Sequence, residues 1–161
     1  MKAIKIFDEF ITKNVAKKQS VDKSRANFLI NEAEMSFATL LELIEKMELT
    51  DSNANLFIRS CYDILMELIR AKMLLDGYNA SGFRAHEAEV SYLRNLGFNE
   101  SDVQFADQLR FFRNGMVYYG KIFDKEYAEK VIEFTKKNYS KLRKIIIISQ
   151  LSFLPATTPN R

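Results

Sequence analysis

The sequence predicts an all-α protein: an antiparallel up-and-down bundle of four long helices with short extra helices. Three observations carry that expectation. The 161 residues include only 5 Gly and 2 Pro, and both prolines fall in the last seven positions, so there is little turn material for a sheet protein. Apolar residues make up 47% of the chain, enough to fill one core at this length. Over four long stretches they recur at alternating spacings of three and four, which is the period of a helix face.

Residues 2 to 16 carry Ile4, Phe7 and Ile11 on one side and predict a short amphipathic helix, broken by Lys17, Lys18 and Gln19. The first long helix follows. Ser20 or Asp22 can cap it, and Ile30, Ala33, Phe37, Leu40, Ile44 and Met47 form its stripe. Thr50 to Asn55 is a turn rich in capping residues. The second long helix, about residues 54 to 76, has two stripes: Phe57, Cys61, Ile64, Leu68, Ala71 and Leu75, then Ile58, Tyr62, Leu65, Ile69 and Met73. A helix apolar on two sides needs neighbours on both, so it is expected at the centre.

Gly77 ends that helix, and Tyr78 to Arg84 read as a loop. A short helix to Asn95 places His86, Val90 and Leu93 on one side, with Gly97 as its stop. Asn99 or Ser101 can cap the next helix, about 100 to 119, whose stripe is Phe105, Leu109, Phe112 and Met116 and whose end is Gly120. The last, about 124 to 151, buries Tyr127, Val131, Phe134, Leu142 and Ile145, with acidic residues early and basic ones late as the helix dipole favours. The chain therefore divides into a short helix or arm at 1–19, the bundle at 20–151, and a tail at 152–161 expected to be disordered.

A net charge of +3 and a pI near 8.9 permit nucleic-acid binding without requiring it. The single cysteine, Cys61, excludes an internal disulfide and sits in an apolar stripe, so it reads as core. The apolar run at Ile145 to Ile148 is far shorter than the roughly 20 residues of a spanning helix. The N-terminus lacks the apolar centre of a secretory leader. A cytoplasmic protein with no membrane partner is the expectation. There is no glycine-rich phosphate loop, serine elbow or paired-cysteine motif, and no cofactor is expected. His86 with Glu87, Glu89 or Asp107 matches no metal spacing, so no metal is expected either.

The segment Arg110 to Gly120 stands apart. It puts Arg110, Arg113, Asn114, Tyr118 and Tyr119 in the last turns of a helix, just before a glycine stop. Two guanidiniums one turn apart suit a phosphate, because each offers a rigid fork of donors, and Asn114 adds a neutral donor and acceptor. On a helical wheel, Arg110, Arg113, Asn114 and Tyr118 are placed nearly opposite the core stripe, facing solvent, a ligand or another subunit. Gly115 inside the helix costs about 1 kcal/mol against alanine, which a close approach by another helix would explain. His86 reads as a half-buried residue on an apolar stripe; the alternative is that it supplies an imidazole to this cluster from a different helix. The basic group at Lys136, Lys137, Lys141, Arg143 and Lys144 reads as a solvated helix face.

Phe112 to Gly120 resembles the motif helix of the HEPN domain, the higher-eukaryote and prokaryote nucleotide-binding family. As helix order and pattern the resemblance covers about residues 20 to 150, with identity concentrated in this motif. The family signature is an Arg, a polar residue directly after it, and a His four to six positions further on. Arg113 and Asn114 match; Tyr118 and Tyr119 stand where the His is expected. The resemblance implies a prokaryotic homodimer formed through the motif helix. Catalytic members are metal-independent ribonucleases in which the arginine holds the scissile phosphate and the histidine moves protons. A phenol titrates about 3 to 4 units above imidazole, so Tyr118 is a poor base at pH 7.

The implied function is thus a dimeric module that binds RNA, a nucleotide or a partner through Arg110, Arg113, Asn114 and Tyr119, in a toxin–antitoxin or defence system. Small members of the family pair with minimal nucleotidyltransferases, which names a partner class. The alternative is a ribonuclease acting through Arg113, Asn114 and Tyr118, with His86 as a further candidate. In a third reading the arginines pair with acidic residues across a dimer.

Overall fold

The computed structural model describes residues 4 to 154, and they form a mostly helical chain with one two-stranded sheet. The elements in order are α1 (Phe7–Thr12), β1 (Ala16–Lys18), α2 (Lys23–Lys46), α3 (Ala54–Leu75), β2 (Tyr78–Ala80), α4 (Ala85–Ser91) with a 3-10 turn at Tyr92–Arg94, α5 (Glu100–Tyr119) and α6 (Lys125–Leu151). Three long helices begin at a side-chain cap. Asp22 accepts from the Arg25 N–H at 2.9 Å, Asn99 from Asp102 at 2.8 Å and Asp124 from Tyr127 at 2.8 Å. Each cap satisfies a helix donor that has no intrahelical partner, and is worth about 1 kcal/mol.

α3 is the centre. Both of its stripes are buried, Phe57, Cys61, Ile64 and Leu68 on one and Ile58, Tyr62, Ile69 and Met73 on the other. It packs against α2 and α6 and also touches α4 and α5. Each Leu or Ile buried there contributes about 1.5–3 kcal/mol relative to exposure. Burial pushes the Cys61 thiol up to about 11, which makes it a core residue and a poor nucleophile. α2 and α6 are buried on one side only, through Ile30, Ala33 and Leu40 and through Val131, Leu142 and Ile146. Within the apolar run of α6, Ile146 is in the core while Ile147 and Ile148 are exposed.

The N-terminal segment departs from expectation. Only Phe7–Thr12 is helical, and Ala16–Lys18 pairs antiparallel with Tyr78–Ala80, in register Ala16 to Ala80 and Lys18 to Tyr78. A helix expected over 2–16 and a loop expected from Tyr78 thus meet as a small sheet. Strands of three residues carry too little alternation to be read locally, and their partners are some sixty positions apart, so the pairing is a tertiary event. Gly77 makes it possible. Its φ is +76°, and a Cβ there would stand 2.8 Å from the Gln19 carbonyl oxygen, while the Gln19 N–H donates to Gly77 O at 2.9 Å.

Aromatic packing fastens the same region: Phe7 meets Tyr92 at 4.7 Å and Tyr78 at 5.4 Å between ring centroids. The Arg94 guanidinium donates to the carbonyls of Lys5 and Ile4 at 3.0 and 3.2 Å. This anchoring sets where the chain enters α4, and so places one wall of the groove described next. At the other end Ser152 to Leu154 leave α6 in turns; residues 155 to 161 of the expected tail lie outside the described residues.

Candidate functional site

α5 presents Arg110, Arg113, Asn114 and Tyr118 to a groove. Its first half is buried on more than one side, with Val103, Ala106, Leu109, Asp102 and Asp107 all covered, and α4 packs along it. Residues Gly82 to Glu87 then face Arg110, Arg113, Asn114 and Tyr118 across a groove of about 420 Å³. This corrects the placement of the cluster nearly opposite the core: Arg110, Arg113 and Asn114 are all partly covered. At 100° per residue Arg113 stands only about 80° from Phe105, on the flank of the helix. Its guanidinium carbon lies 5.6 Å from the ring of Tyr62 on α3.

The opposing wall is held by a strained turn. Arg84, just before α4, has φ +70°, a left-handed conformation that costs a residue with a Cβ about 1–3 kcal/mol. Its guanidinium forks onto both carboxylate oxygens of Glu87, each at 2.6 Å, and lies over the Phe10 ring. At Gly115 a Cβ would meet Lys121 Cδ at 3.0 Å, and the Gly120 and Lys121 N–H groups both donate to its carbonyl. Within the chain, the glycine leaves room for the Lys121 side chain just after α5.

Three arginines line the groove, and their partners separate them. Arg84 is committed to Glu87. Arg110 Nε donates to Asp107 at 2.7 Å, where the carboxylate is almost fully buried. Among the described residues Arg113 has only Asp63, 4.0 Å away and more than half exposed, and its buried Nε has no hydrogen-bond partner. Arg113 is therefore the guanidinium with donors to spare for an anion. The Asn114 and Tyr118 side chains line the same groove, whereas Tyr119, expected among the ligand contacts, is 80% exposed and outside its lining.

The structure brings His86 to this cluster from α4, across the groove from Arg113. Its side chain is 48% exposed. Nδ1 lies 2.8 Å from Tyr62 Oη and 3.3 Å from an Arg70 terminal nitrogen. A guanidinium can only donate, and burial together with the Glu89 charge pushes the Tyr62 phenol well above its ordinary range, so it stays protonated. Nδ1 therefore accepts, and the imidazole proton belongs on Nε2, which has no protein partner among the described residues. Partial burial, then the charges of Arg70, Arg113 and Arg110, hold the His86 pKa below its usual value. At neutral pH it is an uncharged imidazole offering an N–H.

Behind it sits Glu89, which the sequence offered only as a carboxylate neighbour of His86 without metal spacing. Glu89 is buried, pairs with Arg70 Nε at 2.9 Å through Oε1, and leaves Oε2 without a partner 3.7 Å from His86 Nδ1. Burial raises its pKa against the pull of Arg70. The one signal for Glu89 was its spacing, since i and i+3 share a helix face. Tyr62 and Arg70 come from α3, and nothing in their own segment pointed to His86.

No protein-family model matches the chain, and no curated protein matches it in sequence. Among the described residues no group of three or more His, Cys, Asp and Glu side chains is placed to hold a metal ion. No described helix is long and apolar enough to cross a membrane.

Proposed function

We propose that the protein is a dimeric HEPN-like module, built as an up-and-down four-helix bundle, that binds the phosphate backbone of RNA in this groove. The observation that supports it most is Arg113, a half-covered guanidinium without a close carboxylate, beside Asn114 and the Nε2–H of a neutral His86. Those three groups offer a phosphate a fork, an amide and an imidazole donor. Tyr118, 70% exposed at the groove, can stack on a base. Exposed Phe111, Val117, Tyr119 and Ile122 beside the motif support a homodimer contact along α5. The HEPN likeness suggests a prokaryotic, cytoplasmic protein of a toxin–antitoxin or defence system, with a minimal nucleotidyltransferase as the partner class.

A second reading, metal-independent RNA cleavage, is favoured by the orphaned Glu89 Oε2. Burial and the Arg70 charge rank ahead of Arg113 in lowering the His86 pKa, so a phosphate at Arg113 would offset part of that shift. Nε2 could serve as base for a ribose 2′-hydroxyl once Arg70 moves off Nδ1, the Tyr62 hydroxyl turns to accept, and the imidazole proton sits on Nδ1 facing Glu89. The 2′-oxygen would bond to phosphorus, the P–O5′ bond would break, and the departing oxygen would take a proton from solvent.

The test is binding and cleavage of labelled single-stranded RNA in chelator, comparing wild type with Arg113→Ala and His86→Gln, with mass measured in solution. Binding lost in Arg113→Ala with no cleavage supports the module. Cleavage lost in both variants supports the enzyme. RNA neither bound nor cut by the wild type sinks both.

A further inference from the structure

The small sheet leaves one edge of β2 open, and that edge lines a groove. The Ser81 N–H donates to Val15 O at 3.0 Å and the Gln19 N–H to Gly77 O at 2.9 Å, on either side of the Lys17 to Asn79 pair. Hydrogen-bonded pairs alternate along an antiparallel ladder, so Asn79 faces Lys17 while the N–H and C=O of Tyr78 and Ala80 point away from β1. Among the described residues no backbone or side-chain group bonds to those four. Beside them is a groove of about 360 Å³, walled by Leu29, Met73 and Leu74 and by Arg25, Arg70 and Glu89. Tyr78, Asn79 and Ala80 all line it, and all are half-exposed. Successive side chains of a strand point to opposite faces, so three consecutive residues share one groove when it runs along their edge.

We infer that β2 is completed by a third strand: an extended, acidic peptide segment of a partner protein lies in this groove and pairs with Tyr78 and Ala80. Unpaired edge groups are a template for another chain, and strand addition reads a peptide by its backbone first. The walls then select its side chains. Leu29, Met73 and Leu74 suit apolar residues. Arg70 is matched by Glu89 at 2.9 Å, whereas Arg25 is exposed and forms no ion pair among the described residues. Lys17, opposite Asn79 in the register, is exposed on the neighbouring strand. The unmatched charge is therefore positive, and carboxylates on the peptide complement it. A second copy offering its own β2 would set Arg25 and Lys17 against their like. Arg113 does not line this groove, so the peptide site stands apart from the RNA reading.

The test is selection of displayed random octapeptides on the full chain, then fluorescence anisotropy with the enriched peptide and amide hydrogen exchange on the complex. Enriched sequences are expected to alternate apolar residues with aspartate or glutamate, and binding to slow exchange at Tyr78 and Ala80. N-methylation of the peptide residues that face the edge should weaken binding about tenfold or more, and of the intervening residues leave it unchanged. Ala80→Pro removes one outward donor where a strand edge tolerates proline, and should weaken binding about tenfold at unchanged helix content. Arg25→Glu, at an exposed first-turn position where a carboxylate favours the helix, should weaken the acidic peptide by about tenfold. No enrichment, binding indifferent to N-methylation and to Arg25→Glu, or exchange unchanged at Tyr78 and Ala80 overturns the third strand. Self-association that Ala80→Pro abolishes would seat a second copy on the edge and overturn the acidic partner.

Discussion

Arg113→Ala is expected to weaken RNA binding by about 10- to 150-fold and leave the fold intact. The magnitude follows from the ion pairs. A hydrogen bond to a charged group is worth about 1.5–3 kcal/mol, and Arg113 can give that to a phosphate because its nearest carboxylate, Asp63, is 4.0 Å away and solvated. The ion pair lost with it is weak, about 0–1 kcal/mol, because Asp63 is more than half exposed and 4.0 Å away. Arg110 makes the contrast. Its removal leaves Asp107 buried and unpaired, which costs about 3 kcal/mol and, for a chain of this size, about 6–12 °C in melting temperature. The assay is fluorescence anisotropy with a labelled single-stranded RNA across a salt series, alongside thermal melts. Removing one guanidinium from a single-strand phosphate lowers the slope of log K against log salt by about 0.7. Wild-type affinity and slope in Arg113→Ala would refute the assignment. A large affinity loss at unchanged melting temperature in Arg110→Ala would refute the claim that pairing decides which arginine is available.

Four further outcomes are expected. Tyr118→Phe should retain RNA affinity while Tyr118→Ala loses about 1–3 kcal/mol by the same anisotropy assay, because stacking uses the ring and not the hydroxyl. Gly77→Ala should cost about 2–3 kcal/mol in urea unfolding, since φ +76° and the Gln19 carbonyl at 2.8 Å both oppose a methyl; Gly120→Ala, with open space around it, should cost about 1 kcal/mol. The His86 pKa lies below its ordinary 6.5 in the folded state, so between the two values the unfolded chain binds more protons. Its share of stability is full above about 6.5 and is lost as pH falls below it; His86→Gln should flatten that slope in urea titrations at successive pH values. Added phosphate should move the midpoint of this single histidine upward by proton NMR, as the anion offsets Arg113, and an unmoved midpoint would separate the anion from His86.

Much of the helical architecture was legible because helix period and capping are local. The two stripes of Phe57–Leu75 marked α3 as the centre, and they are buried on both sides because an apolar surface on each face has no lower-energy place than between neighbours. Asp22 and Asn99 were each readable as one of two candidate caps, because a cap is a bond across three residues, and the structure chooses them over Ser20 and Ser101. The N-terminal sheet was not readable, because Ala16–Lys18 gains its hydrogen bonds only from a segment some sixty positions away.

The site divides in the same way. Arg110, Arg113, Asn114 and Tyr118 were legible as a cluster because helical spacing puts them within a turn or two of each other. The sequence could not rank the arginines, since the burial that ties Arg110 to Asp107 and leaves Arg113 free comes from α4 and α3 packing on α5. For His86 the sequence favoured a half-buried packed role; the structure places it half-exposed on α4, lining one groove with Arg110 and Arg113. Local chemistry determined the helices and the motif; only long-range packing decided which of its groups face one another, because burial and charge pairing depend on neighbours that no local window contains.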